Sequence, residues 1–329
     1  MKINAGIIGF GNIGFIFDED PKRKQVSSHA GAYLASPNVE IVAGADSDAT
    51  KLSRFSRRCP RAGIYRDYGE MLNDNRLDIV SICSPTASHF EILSRVVDSD
   101  VRAIFCEKPL ASRIEDARQM VDICQAKSII LAVNHTRRWD QRYRHVKEYI
   151  DQGKIGEIRS ISGNYSDKVF MIGTHLIDML RYYAGDVDWV AGEGENPESD
   201  DPAISGLIFF RNGARGFITC NGKRENLIFE IDVLGSEGRI RIVDNGYLTE
   251  FFRFNESDRY SGYHELKRQA VPEVNVVQNP LVVAIENIIE CLQEDGEPAC
   301  TGEDGLKSLE IAVALCASAR NNSEKIKLY

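Results

Sequence analysis

The sequence predicts an α/β chain in two parts: an N-terminal doubly wound parallel sheet, and a C-terminal α+β domain with a large open, mostly antiparallel sheet. Three observations carry this. Short branched apolar runs alternate with helical periodicity from Ile3 to Val133, the rhythm of parallel strands joined by crossover helices. The first run, Ile3 to Ile8, leads directly into Gly9-Phe10-Gly11-Asn12-Ile13-Gly14. Past Val133 the rhythm gives way to successive strand-like runs broken by turn residues. Domains are expected at 1–133 and 134–329.

A strand running into Gly-x-Gly-x-x-Gly is built to receive a dinucleotide. The first glycine makes the tight turn, the second lets backbone approach a pyrophosphate, and the third lets a helix pack closely on the strand. The second run, Val39-Glu40-Ile41-Val42-Ala43-Gly44-Ala45-Asp46, ends in a carboxylate. An Asp there accepts the ribose hydroxyls and repels a 2′-phosphate, so NAD is expected in preference to NADP. That acid usually follows the motif by about 20 residues, whereas 32 positions separate Gly14 from Asp46. The excess is assigned to Asp18 to Gln25, a charged, proline-broken loop before a helix resumes near Ser28.

A helix is expected through Lys51 to Arg58. Leu77 to Cys83 reads as the central buried strand, ending at Ser84-Pro85-Thr86. A helix from about Ala87 to Val97, a strand Val101 to Cys106 ending at Glu107-Lys108-Pro109, a helix Ile114 to Ala126 and a strand Ile129 to Val133 complete the alternation. Ligands of such a sheet bind at the carboxyl ends of its strands. The second part opens with an amphipathic helix bearing Tyr143, Val146 and Ile150. Strands follow at Ile158 to Tyr165, Ala203 to Phe210, Gly216 to Cys220, Leu227 to Leu234, Arg239 to Val243 and Tyr247 to Phe254. Turns such as Arg211-Asn212-Gly213 and Gly235 to Gly238 make successive runs antiparallel hairpins. Two late helices, near Pro280 to Leu292 and Gly305 to Ala319, cover this sheet or return to the first domain. A sheet with one uncovered face needs a partner, so a homo-oligomer, a dimer or tetramer, is expected through it.

Composition narrows the function classes. The 329 residues are 43% apolar and 27% charged, ordinary for a globular protein, and the net charge of −9 argues against nucleic acid as main partner. No run reaches the roughly 18 to 20 apolar residues that span a bilayer. Lys2 with the apolar run behind it is not read as a secretory signal, because Asn12 and Asp18-Glu19-Asp20 interrupt it. The eight cysteines form no Cys-x-x-Cys pair, so no metal site is expected and the chain is read as a reduced, cytoplasmic protein.

Two stretches carry candidate chemistry. Glu107-Lys108-Pro109 ends a sheet strand, where the Lys108 ammonium can donate to a substrate hydroxyl and ease its deprotonation; the proline sets the turn and is a candidate for a cis bond. Gly173 to Leu180 reads as a helix with Leu176, Met179, Leu180 and Tyr183 on its apolar face. His175 and Asp178 are three apart and project from one side, an imidazole to accept a proton and a carboxylate to set its tautomer.

The glycine motif, Ser84-Pro85-Thr86 with His89, Glu107-Lys108-Pro109, and His175-Leu176-Ile177-Asp178 ahead of Gly185, in that order, resemble the glucose-fructose oxidoreductase and inositol dehydrogenase family, Gfo/Idh/MocA. The resemblance covers nearly the whole chain. It implies an N-terminal Rossmann domain, a C-terminal open-sheet domain, and hydride transfer between NAD and a hydroxyl or keto carbon of a sugar, polyol or sugar derivative. Lys108 and His175 are then the catalytic pair, meeting across one bound coenzyme. Gly9 through Gly14, Asp46, Ser84, Pro85, Thr86, His89, Glu107, Lys108, Asn134 and Trp139 are implied around the cofactor. Substrate contacts are expected from Asp178, Tyr165, Arg138 and Lys168. One departure stands out: where the family commonly has an Asp one turn before the histidine, this chain has Met171. Two other activities follow from the same resemblance, an NAD-dependent glycosidase and a non-enzymatic dinucleotide-sensing regulator.

Overall fold

Short runs of three to seven residues, too short for helices and bounded by turn formers, become the parallel strands of the first unit. In the computed structural model, which describes residues 2–271 and 278–328, they are β1 (Ile3–Ile8), β2 (Val39–Ala45), β3 (Gly63–Tyr65), β4 (Ile79–Ile82), β5 (Ala103–Cys106) and β6 (Ile130–Val133). They form one parallel sheet in the order β3-β2-β1-β4-β5-β6. The chain starts at the centre and steps first to one side, then to the other, which opens a crevice beyond the carboxyl ends of β1 and β4. The crossover helices are α1 (His29–Ala35), α2 (Ala49–Arg58), α3 (Tyr68–Asp74), α4 (His89–Val96) and α5 (Ile114–Ala126). The pair β3 and α3 was not legible, because a three-residue strand carries no periodicity.

Gly14 is followed by turns and a short 3-10 stretch, Ile16–Glu19, and the helix expected to resume near Ser28 starts there. Pro21 has no N–H and drives the preceding residue out of helical geometry, and Asp20 is extended, with ψ 115°. The Asp18 carboxylate closes the loop by accepting the Ser27 N–H at 2.6 Å and the Ser28 hydroxyl at 2.5 Å. Ser28 then caps α1, accepting the Gly31 N–H at 3.0 Å. The His29 and Ala30 N–H groups donate to the carbonyls of Ile13 and Gly14, at 2.9 and 3.1 Å. The loop thus returns α1 to the end of the glycine turn.

The second unit contains α6 (Gln141–Asp151), β7 (Ile158–Tyr165), α7 (Thr174–Ala184), β8 (Val187–Glu195), β9 (Ala203–Phe210), β10 (Arg215–Cys220), β11 (Phe229–Gly235), β12 (Gly238–Val243), β13 (Leu248–Glu256) and β14 (His264–Arg268). Later elements are α8 (Pro280–Glu294), α9 (Gly302–Arg320) and β15 (Ile326–Lys327). The nine-stranded sheet runs β14-β13-β12-β11-β7-β10-β9-β8-β15. Among the described residues of this sheet only β7 and β10 pair in parallel, in register Arg215↔Ser160 to Cys220↔Tyr165. By contact the chain divides into Met1–Asp140 with Val277–Leu306, and Gln141–Val276 with Lys307–Tyr329. Helix α8 therefore belongs to the first unit, where Asn287 accepts the Trp139 indole N–H at 2.9 Å.

Alternation along β10 shows how the second core is built: Gly216 and Ile218 are buried while Arg215, Phe217 and Thr219 are exposed. One face of the sheet packs on helices, burying Leu176, Met179, Leu180 and Tyr183 of α7 and Leu315 of α9, and the other faces solvent. Helix α9 sits close to the sheet at Gly192, where a Cβ would run into the Leu315 carbonyl oxygen. Among the described residues no helix is long and apolar enough to cross a membrane. Gly192→Ala is expected to destabilise the protein by about 1 to 3 kcal/mol through overpacking, read as a lowered urea midpoint with an unchanged slope.

Candidate active site

The glycine motif assembles where β1 meets β4. Gly9 has φ +97°, which glycine adopts without strain, and a Cβ there would lie 2.7 Å from the Ser84 nitrogen. A Cβ on Gly14 would run into the carbonyl oxygen of Gly9. Gly11 is different: nothing lies within 4 Å of where its Cβ would be. The turn is packed shut behind and open in front, the shape a pyrophosphate needs to reach backbone N–H groups. The site fits a dinucleotide.

Asp46 ends β2 beside this turn. Its Oδ2 accepts the Phe10 N–H at 2.7 Å and its Oδ1 accepts the Asp48 N–H at 2.8 Å. The carboxylate ties the turn to β2, and a carboxylate offers about four acceptor positions, so capacity for ribose hydroxyls remains. The Phe10 ring is turned inward, fully buried and stacked on Phe55 at 4.0 Å. Only its backbone belongs to the turn. Asn12 is exposed and Ile13 half-buried.

Past β4, Ser84-Pro85-Thr86 turns into a 3-10 segment, with the Ser88 hydroxyl donating to Ser84 Oγ at 2.8 Å. His89 is fully buried beneath it. One ring nitrogen is 3.0 Å from the Ser84 carbonyl, the other 3.1 Å from that of Pro109. This imidazole fastens two loops at the carboxyl edge. The Lys108–Pro109 peptide is cis, and Lys108 is half-buried.

Glu107, next to Lys108, lies in a polar cluster inside the unit. Its Oε1 is 2.9 Å from His29 Nε2 and 2.5 Å from Asn134 Nδ2. His29 Nδ1 is 2.9 Å from Ser81 Oγ, which is 2.8 Å from the Tyr33 hydroxyl. Burial alone would raise the Glu107 pKa, but hydrogen bonding and charge from His29, the Asn134 amide and the Lys108 charge outweigh it and hold the carboxyl below its ordinary value. The Cys83 and Cys106 thiols are pushed well up by burial and by the Glu107 charge, so neither is a reactive thiolate at neutral pH. Sequence reasoning missed His29, Ser81 and Tyr33; His29 lies 52 positions from Ser81 and 78 from Glu107, and no local pattern joins them.

Two residues expected near ligands hold the first unit's framework. Trp139 is fully buried and packs edge-on against Phe105 at 5.7 Å. Arg138 is 6% exposed and pairs with Asp304 at 3.1 Å.

In the second unit a π-helical turn, Val169–Gly173, feeds α7. It is anchored by the Phe170 N–H donating to Asp201 at 2.8 Å and the Val169 N–H donating to the Pro202 carbonyl at 3.0 Å. Met171, at the position where a carboxylate was expected, is 40% exposed on this turn. His175 is half-buried in the first turn of α7. Asp178 is fully buried and accepts the Ser308 hydroxyl at 3.3 Å. Tyr165 is buried under the π-turn and donates its hydroxyl to the Ile204 carbonyl at 2.5 Å. Its ring supports the entry to α7, in place of the open contact to substrate that the sequence led us to expect. Of the four expected substrate contacts, Lys168 alone is exposed.

Residues 3–135 match the family model described as oxidoreductase family, NAD-binding Rossmann fold, and residues 147–328 match that of its C-terminal alpha/beta domain. The chain is 27% identical to a D-apiose dehydrogenase of Paraburkholderia graminis over 89% of this chain and 84% of that one. It is 25% identical to a myo-inositol 2-dehydrogenase of Thermotoga maritima over 95% of each. The solved structure of a levoglucosan dehydrogenase in complex with NADH and L-sorbose superposes with TM-score 0.83 at 21% identity over 100% of both chains, a likeness of fold.

Gly11→Ala is expected to leave thermal stability within about 0.5 kcal/mol while weakening dinucleotide binding, measured by titration calorimetry. Gly14→Ala should instead lower stability. The depressed pKa of Glu107 means a stability contribution present above the unfolded carboxyl's value, near 4.3, and lost as pH falls through the lower folded value. Glu107→Gln should remove it, so wild type and variant converge in urea stability towards acid pH.

Proposed function

From membership of the Gfo/Idh/MocA oxidoreductase family, to which the chain belongs by both of its domains, we propose that it is an NAD-dependent dehydrogenase of a sugar or polyol hydroxyl, with Lys108 and His175 as its proton-handling pair. The carrying observation is in the first unit: a glycine turn open at Gly11 after β1, and Lys108 two residues past the end of β5, with β4 alone between the two strands in the sheet. The backbone of Gly9 to Gly14 holds the pyrophosphate, Asp46 the adenosine ribose, and the loops after β4 and β5 the nicotinamide side. Bound NAD supplies the acceptor for a hydride from the substrate carbon. His175 takes the proton of the substrate hydroxyl, and Lys108 donates a hydrogen bond to the oxygen as negative charge grows on it.

Relatives named for D-apiose, myo-inositol and levoglucosan support a polyhydroxylated substrate. Asp46 supports NAD over NADP, because a 2′-phosphate beside an ionised carboxylate is repelled. The solvent face of the nine-stranded sheet, with Phe217 47% exposed, supports a homodimer or tetramer formed through it. Eight free cysteines favour a reducing compartment, the cytoplasm.

Lys108→Ala and His175→Ala should each lower kcat by roughly 10²- to 10⁴-fold while NAD still binds, measured by NADH absorbance on a panel of pentoses, inositols and anhydrosugars. Wild-type turnover in either folded variant removes that residue from the mechanism. Aglycone release from aryl glycosides without net NADH would replace the dehydrogenase by a glycosidase. Asp46→Ala should narrow the preference for NAD over NADP in the same assay.

A further inference from the structure

We propose that His29 is a positioning residue for Lys108: by hydrogen bonding to Glu107 it fixes the carboxylate next to the lysine in the chain, and so keeps a negative charge near the amine. The inference rests on reading Lys108 as the proton-handling cation. His29 itself is fully buried and touches no solvent.

A carboxylate only accepts, so His29 Nε2 carries the proton shared with Glu107 Oε1. The other ring nitrogen is held at Ser81 Oγ, which is itself bonded to the Tyr33 hydroxyl. The ring is thus fixed at both nitrogens. The Tyr33 end is closed: that residue is 1% exposed, and burial pushes its phenol up despite the Ser81 hydrogen bond. The chain is a clamp and not a path for protons to solvent.

The other partners of Glu107 remove its remaining freedom. Asn134 donates to the same oxygen, and Asn134 Oδ1 accepts the Thr136 hydroxyl at 3.0 Å. The Glu107 N–H is held by the Ile82 carbonyl at 2.9 Å. A core built for stability alone has no need of this cluster, since apolar side chains of similar volume commonly serve as well. Its place at the carboxyl ends of β4, β5 and β6, directly before Lys108, gives it a use.

The test compares His29→Leu and His29→Gln in the full-length enzyme, with the best substrate of the sugar panel. His29→Leu should lower kcat by about 10²-fold with KM for NAD little changed, and His29→Gln, whose amide still donates, should recover much of the loss. A second readout needs no turnover: acetylation of Lys108 by an N-hydroxysuccinimide ester, followed by peptide mass spectrometry. Without a held carboxylate beside it the amine loses its proton more easily, so His29→Leu should react faster at Lys108 than wild type. Wild-type kcat together with wild-type acetylation in folded His29→Leu overturns the proposal. Should the leucine variant not fold, the cycle of His29→Gln and Glu107→Gln decides. A shared role makes the double variant no slower than the worse single, and additive losses overturn it. Because acetylation is scored without substrate, it reports on His29 even where Lys108→Ala keeps turnover and the dehydrogenase reading fails.

Discussion

A carboxylate buried at the end of a parallel strand must be given donors, and the carboxyl edge of the first unit's sheet is organised around giving them to Glu107. An isolated charge in that interior would cost several kcal/mol and would neutralise itself instead. Two N–H donors on one oxygen, from His29 and Asn134, keep it ionised. They come from the start of α1 and the end of β6, so the charge can persist only when the elements on both sides of β5 are in place. The ionised state of Glu107 and the completeness of the Rossmann half are one condition.

The same requirement explains why the break after the glycine motif is tolerated. Asp18 to Gln25 interrupts the first crossover helix, yet the Asp18 carboxylate and the N–H groups of His29 and Ala30 return the chain to the carbonyls of Ile13 and Gly14. Helix α1 resumes with His29 in reach of Ser81 and Glu107. An insertion that failed to close in this way would leave Glu107 short of a donor, so the loop is free in length but constrained at its ends.

Much of the architecture was legible because it is local. Branched runs marked β1, β4, β5 and β6, and two strands of the second sheet, Ile158–Tyr165 and Ala203–Phe210, fall at the expected bounds. What escaped reading lacked a local signature. β3 has three residues, β15 two, and β8 ends in Gly-Glu-Gly-Glu, which reads as loop. The glycine turn and Lys108 were legible as motifs. The burial of Tyr165, Trp139, Arg138 and Asp178 was not, since an aromatic or charged residue beside a motif looks the same in sequence whether it faces a ligand or a carbonyl. His29 was hidden for the converse reason: its partners are distant in sequence, and only the sheet order brings them together.

The second unit meets a different constraint at α7. The π-turn that precedes the helix is fixed from outside by Asp201 and Pro202 and from beneath by the Tyr165 ring, so the side chains it presents follow from backbone that has little room to adjust. At the exposed position of that turn stands Met171, whose thioether neither takes a proton nor holds a charge at neutral pH. Asp178, one turn on, is fully buried and engaged with Ser308. Of these three side chains only His175 joins a proton-accepting group to access to solvent. On the proposed reading, proton acceptance on this helix falls to the imidazole, because Met171 has no proton-accepting group and Asp178 is buried against Ser308.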